Sequence, residues 1–174
     1  LDDENFKDTP VRWVKFLHEF LQPYDPHEHL SKSFAPKVRH GQEASRYAFA
    51  MVVQGGIPFQ AVCAHHLVPV LGRAAVGYIP KGRVVGLSKL ARLVWGISHR
   101  SPSLQEDVTN EVVDCLQEHL SPIGSICVIQ AEHGCMACRG FAQQGIVTST
   151  SALRGAFIDE PHAREEFYRL AGIK

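Results

Sequence analysis

Two short stretches hold residues whose types and spacing could do chemistry: Cys63-Ala64-His65-His66 and, far downstream, His133-Gly134-Cys135. Together they offer two soft thiolates and up to three imidazoles, a donor set that favours zinc over hard cations. Cys63 and His66, separated by two residues, can converge from one turn, and Cys135 adds a third donor. Three protein ligands leave a fourth position for water, as in catalytic rather than structural zinc sites. His65 and His133 are then flanking imidazoles, suited to acid–base work near neutral pH. Each residue alone has a plainer reading, as a small buried thiol or a satisfied imidazole. The cluster as a whole is poorly explained that way.

Cys138 leaves alternatives open. Cys135-Met136-Ala137-Cys138 is a C-x2-C, so Cys63, His66, Cys135 and Cys138 could close a structural site. The pair could also be redox-active, but redox pairs of that spacing open a helix in a thioredoxin-like fold, and here a strand leads in.

A second constellation is cationic. Ser88-Lys89-Leu90-Ala91-Arg92 places Lys89 and Arg92 at the start of a helix, where free N–H groups also favour anions. Arg139 follows just after the second metal segment. Three cations and a helix end make a polyphosphate grip; without the metal beside them, a solvated basic face is an equally good reading. Gln105-Glu106 opens another helix. A carboxylate beside an amide can pair with the N–H edge of a guanine-like base, although a first-turn Glu often only complements the helix dipole.

The elements that must position these groups follow from periodicity. Thr9-Pro10 reads as N-cap and first position of a helix that ends at Pro23, with Val14, Leu17 and Leu21 in its apolar stripe and Arg12 on its first turn. Tyr24 to Gln42 reads as a polar loop with His27, His29 and His40 at the surface, and Arg46 to Val53 is ambiguous between helix and strand. Gly55-Gly56 is expected to break the chain before a strand over Ile57 to Cys63. Leu67 to Leu71 and Ala74 to Ile79 look like strands with a turn signal at Gly72. Ser88 is a good N-cap, a helix spans about Ser103 to Leu120, and Ser125 to Ala131 is the clearest strand. Phe141 to Thr150 suggests another strand, and Pro161 opens a last helix burying Phe167 and Leu170.

The whole chain sets bounds. With 174 residues it is long enough for one ordinary domain with a real core. Lys+Arg 18 against Asp+Glu 18 gives a net charge of +0, so no bulk field recruits nucleic acid or an anionic membrane. No apolar run approaches a membrane span, and the acidic start is unlike a secretory leader. Five cysteines, an odd number, fit a reducing cytoplasm in which some thiols serve a metal. The expected architecture is one α+β domain over residues 1–174, antiparallel strands with a helix layer, with the N-terminal helix at about 9–22 and the core at about 43–174.

Taken in order, Cys63-x-His65-His66, Gly86-Leu87-Ser88-Lys89-Leu90-Ala91-Arg92, Gln105-Glu106, His133-x-Cys135 and Arg139-Gly140 resemble the GTP cyclohydrolase I family. Asp8-Thr9-Pro10-x-Arg12 and Val147-Thr148-Ser149-Thr150 share the likeness, which covers nearly the whole chain. The resemblance implies a T-fold, an antiparallel sheet with helices on one face, assembled into a toroidal homodecamer with active sites between subunits. It implies zinc held by Cys63, His66 and Cys135, and conversion of GTP to formate and 7,8-dihydroneopterin triphosphate in pterin and folate synthesis. His65 and His133 would move protons, and Glu106, with Gln105 nearby, would anchor the base. Lys89, Arg92, Arg139 and Ser88 would hold the triphosphate, with Arg12 reaching in from a neighbouring subunit. The sequence departs from the family at Ala64, where Glu is usual, and at Phe49-Ala50, Trp95-Gly96-Ile97 and Cys138. Two other readings therefore accompany this one: a relative that stops at a ring-opened formamidopyrimidine nucleotide or serves a secondary pathway, and a non-catalytic paralogue with a closed zinc site.

Overall fold

Alternation of apolar side chains with a period of two builds a sheet whose two faces are buried against different partners. In the computed structural model, which describes residues 3–35, 50–139 and 142–173, the chain runs α1 (Thr9–Phe20), α2 (Pro26–Leu30), β1 (Ser33–Phe34), β2 (Val52–Val62), β3 (Pro69–Ile79) and β4 (Val84–Val85). It continues through α3 (Ser88–Arg100), α4 (Gln105–Leu120), β5 (Gly124–His133), α5 (Gly134–Ala137), β6 (Thr148–Gly155), α6 (Ala156–Asp159) and α7 (Pro161–Ala171). Four strands form an antiparallel sheet in the order β2-β3-β5-β6, and β1 pairs with β4 in a separate ribbon. His40, the side chain of His27, and Arg46 to Phe49 lie outside the described residues, as do Gly140 and Phe141.

On one face, Phe59, Val76, Tyr78, Cys127 and Ile129 pack against Leu90, Leu93, Val94 and Ile97 of α3 and Val108, Val112 and Leu116 of α4. The alternate residues, Ala75, Ile126 and Val128, point the other way and meet Phe157 and Phe167 from α6 and α7. The expected α+β sheet with a helix layer is what the chain forms, with a smaller helix pair covering part of the opposite face. At about 1.5–3 kcal/mol for each fully buried large aliphatic or aromatic side chain, the α3–α4 face carries most of the hydrophobic stabilisation.

Several elements differ from the periodicity reading. Gly55-Gly56 does not break the chain: β2 runs through it with a bulge between Gln54 and Ile57, and Gly56 supplies the positive φ of 66° that the bulge needs. Gly72 is no turn either. It lies mid-strand in β3, opposite Ala131, where a side chain would strike the β5 backbone. The strand expected over Phe141 to Thr150 begins only at Thr148 and ends at Gly155. Leu170 is 54% exposed although Phe167 is fully buried. Neither Thr9 nor Ser88 caps a helix through its side chain; Asp8 and Leu87 occupy the N-cap positions.

The first helix buries none of its residues in this chain. It is held at its end, where Phe20 stacks on His99 at 4.5 Å and His99 stacks in turn on Trp95 at 4.7 Å. Among the described residues no helix is long and apolar enough to cross a membrane.

Candidate active site

Register brings the two chemical stretches together. Val62 pairs with Pro69 across the β2–β3 hairpin, so residues 63–68 form its connecting loop. Cys63 N–H donates to Val68 O at 3.0 Å and Leu67 N–H donates to Cys63 O at 2.9 Å, closing that loop on itself. Leu67 has φ 53°, an unusual left-handed conformation for a branched residue, and it completes the tight turn. A parallel bridge from Cys63 to Ser103 fastens the loop to the segment that precedes α4. On the next strand pair, Val70 sits opposite His133, the last residue of β5. The chain then turns into α5, which carries Cys135.

The result is a group of three donors. The ligand atoms of Cys63, His66 and Cys135 all lie within 4.8 Å of one another. Tetrahedral zinc with bonds of about 2.0–2.3 Å sits naturally among two sulfurs and one imidazole nitrogen at such range. Cys63 is buried, His66 exposed and Cys135 intermediate, so the group opens to solvent on one side. Burial first, and then the neighbouring Cys63 thiol, raise the Cys135 thiol, while the Arg139 guanidinium pulls it the other way. That effect also locates Arg139 near the metal group, as chain connectivity predicts.

Cys138 does not join. Its thiol donates to Gly134 O at 2.6 Å, one helical turn back, and it stands exposed. Cys138 therefore stands outside the three-donor group, because α5 turns its sulfur away from the other three. No two cysteines are bonded. Cys115 and Cys127 are core residues whose thiols burial holds protonated, Cys115 up at about 11.

The two flanking histidines stand differently. His65 is exposed on the loop, its ring edge-on to His66 at 6.2 Å. It also borders a cleft of about 490 Å³ together with Ala64, Arg100, Ser103, Asp107 and Glu111. Arg100 does not lend its charge to that cleft freely, since it makes a two-pronged ion pair with Glu111 at 2.8 and 3.0 Å. His133, by contrast, is tied down: its Nε2 lies 2.8 Å from Gln105 Oε1.

Gln105 is thus turned inward, with its side chain held among β5, β6 and His133. It is 4% exposed, and its amide nitrogen donates to Ile129 O, Thr148 O and Thr150 Oγ1 at 3.0–3.1 Å. Its neighbour Glu106 is exposed on the same first turn of α4. Thr109 and Thr150 complete the surroundings of Gln105, and the sequence reading gave neither of them a role. Thr109 follows Gln105 by one helical turn, the spacing at which a hydroxyl back-bonds to a carbonyl, and this was the available signal.

The cations divide. Lys89 is partly exposed and Ser88 and Arg92 are exposed on the first turns of α3, with Arg92 close enough to Tyr24 to oppose the burial that lifts its hydroxyl to about 12. Arg139 is exposed beside the metal group. Arg12 faces solvent on α1 and makes a loose pair with Asp8 at 3.8 Å; among the described residues it has no hydrogen bond or ion pair to the metal-site residues.

Comparison with known proteins gives a consistent result. The family model described as GTP cyclohydrolase I matches residues 1–172. The GTP cyclohydrolase 1 of Halalkalibacterium halodurans is 44% identical over 170 residues, covering 96% of this chain and 85% of that protein. The Carboxydothermus hydrogenoformans protein of the same name is 42% identical over 174 residues, covering 98% and 85%. That of Streptococcus pneumoniae is 40% identical over 172 residues, covering 98% and 88%.

Proposed function

Because the chain belongs to the GTP cyclohydrolase I family, we propose that it is a zinc-dependent GTP cyclohydrolase I. It opens the guanine ring of GTP at C8 with water, releasing formate and forming 7,8-dihydroneopterin triphosphate for pterin and folate synthesis. The observation that carries this reading is the convergence of the Cys63, His66 and Cys135 donors, with His65 and His133 alongside and Cys138 turned away.

Cys63, His66 and Cys135 hold the zinc, and two thiolates with one imidazole suit that ion. Bound there, zinc would supply Lewis acidity and lower the pKa of a water. His65, exposed on its loop, and His133, tethered from the opposite strand, take up and return protons as the ring opens and the ribose rearranges. Glu106 accepts hydrogen bonds from the N–H edge of the guanine. A carboxylate acceptor discriminates well, because a base lacking those donors would leave it unpaired.

The triphosphate lies along Ser88, Lys89 and Arg92 at the start of α3 and is closed by Arg139, where cations and free helix N–H groups add. Arg12 comes from a neighbouring subunit. Association between copies is supported by the exposed Val11, Trp13 and Val14 of α1 and by the outer positions of β2 and β6 in the sheet, and the resemblance implies a toroidal homodecamer. Free thiols fit a reducing, cytoplasmic setting.

The deciding experiment incubates zinc-loaded protein with GTP and measures formate together with pterin fluorescence after oxidation. Both products are expected in equal amounts. Absence of formate overturns the reading, whereas loss of GTP absorbance without a pterin identifies an enzyme that stops at the ring-opened nucleotide.

A further inference from the structure

The protons around Gln105 can be assigned one by one, and together they decide which nitrogen His133 offers. Ile129 O and Thr148 O are backbone carbonyls, which only accept hydrogen bonds, and both lie within reach of the Gln105 amide nitrogen, at 3.0 and 3.1 Å. Reversing the amide would set its oxygen against two other carbonyl oxygens in a buried place. The –NH2 is therefore fixed on that side and Oε1 on the side of His133, 2.8 Å from Nε2. An amide oxygen cannot donate, so Nε2 must carry the hydrogen.

The hydroxyls agree with this orientation. Thr109 Oγ1 donates to the main-chain oxygen of Gln105 at 2.6 Å, which uses its one hydrogen. In the 2.7 Å contact between Thr109 and Thr150, Thr150 is then the donor. That leaves Thr150 Oγ1 to accept from the Gln105 amide at 3.1 Å, the two amide hydrogens being shared among three acceptors. The donors run in a closed circuit, from the Gln105 amide to Thr150, to Thr109 and back to the Gln105 backbone, with no polar atom wrongly opposed.

We propose that Gln105 is a positioning residue that holds His133 as the Nε2–H tautomer, so that His133 handles protons only through Nδ1. The assignment of the tautomer rests on the hydrogen bonds above; its consequence for turnover rests on the proposed GTP cyclohydrolase activity. A histidine whose ring were free to flip or exchange tautomers would present the wrong nitrogen part of the time, and a single buried acceptor removes that freedom. Gln105 acts through His133.

Nitrogen NMR of the imidazoles in zinc-loaded protein, at a pH above the ordinary imidazole range, reads the tautomer directly. A protonated Nε2 and a bare Nδ1 on His133 are expected; a protonated Nδ1 overturns the proposal, whatever the activity. Gln105→Leu should lower kcat by about 10–100-fold, the usual cost of losing an orienting partner, with zinc content retained and KM for GTP changed less than about threefold. Thr150→Val, which leaves both carbonyl anchors, should lower kcat by only about 2–5-fold and keep the Nε2–H signature. A large rise in KM with kcat retained in Gln105→Leu would show instead that Gln105 binds substrate. If wild-type protein makes neither formate nor pterin, the functional reading fails while the NMR result still stands or falls alone.

Discussion

The site has two walls, and they are built in opposite ways. The wall formed by residues 63–68 is a hairpin loop closed by its own backbone, with His65 and His66 exposed and, among the described residues, no side-chain hydrogen bond on His65. The wall at the end of β5 is anchored: His133 continues a central strand and is tied through Gln105 to three further groups. One wall is held by backbone contacts alone, and the other by side-chain hydrogen bonds as well. A metal shared by Cys63 and His66 from the first wall and Cys135 from the second would couple them. It would bring order mainly to the loop, which has the fewer restraints of its own.

Removing that coupling should give the largest effect. Cys135→Ala is expected to reduce zinc from one per chain to none by elemental analysis. It should also lower turnover by more than the roughly 100-fold that loss of an outer partner costs. Zinc retained at full stoichiometry would break the idea that the two walls are joined at this group.

Replacing the histidines sharpens the contrast. His65→Ala and His133→Ala should each lower kcat by about 10²–10⁴-fold with zinc retained. Only His133→Ala should also destabilise the fold, by about 1–3 kcal/mol in denaturant unfolding, because it strands the buried Gln105 oxygen. Equal stability losses in the two variants would erase the distinction between the walls.

Beyond the site, Phe167→Ala opens a cavity against Ile126 and Gly77 on the opposite sheet face and should cost about 3–5 kcal/mol of stability. Metal content of the protein that remains folded should not change. Cys138→Ser should leave zinc stoichiometry intact and activity within about twofold, since this thiol bonds only its own helical turn. A loss of zinc there would restore the closed-site alternative.

The smallest effect is a dependence on pH at the foot of α1. Burial between Phe20 and Trp95 lowers the His99 imidazole below its ordinary 6.5, and its hydrogen bond to Trp95 O offsets this only in part. The folded state then binds fewer protons than the unfolded chain, so this stabilisation is complete above the unfolded value and is lost as pH falls through the folded one. His99→Phe should flatten that acid-side decline in melting temperature measured between pH 5 and 8. An unchanged slope would place the titration elsewhere.

Much of the site was legible in the residues themselves. Cys63, His66 and Cys135 announce a soft-metal set because thiolate and imidazole are rare, specific donors, and their spacing survives into the structure as a compact group. The long helix and the Ser125–Ala131 strand followed from period alone. Errors fell where one residue type serves two purposes. Gly72 reads as a turn signal but is a close approach between strands, and Gly55-Gly56 reads as a break but is a bulge. Leu170 matched the helical stripe, yet α7 meets the sheet mainly through Phe167. Gln105 was legible as polar but not as buried, because only the packing of α4 on β5 and β6 brings Ile129, Thr148 and Thr150 around it.

The sequence by itself determined the donor chemistry, the family and the alternation that makes a two-faced sheet, since these depend on residue identity and local period. The tertiary structure alone decided which sulfur stands outside the three-donor group and which way Gln105 faces. Those outcomes depend on strand register and helix rotation, where a shift of one residue exchanges inside for outside. Cys138 lies only three residues beyond Cys135, yet a short helical turn is enough to direct its thiol to a backbone oxygen instead of to the other ligands.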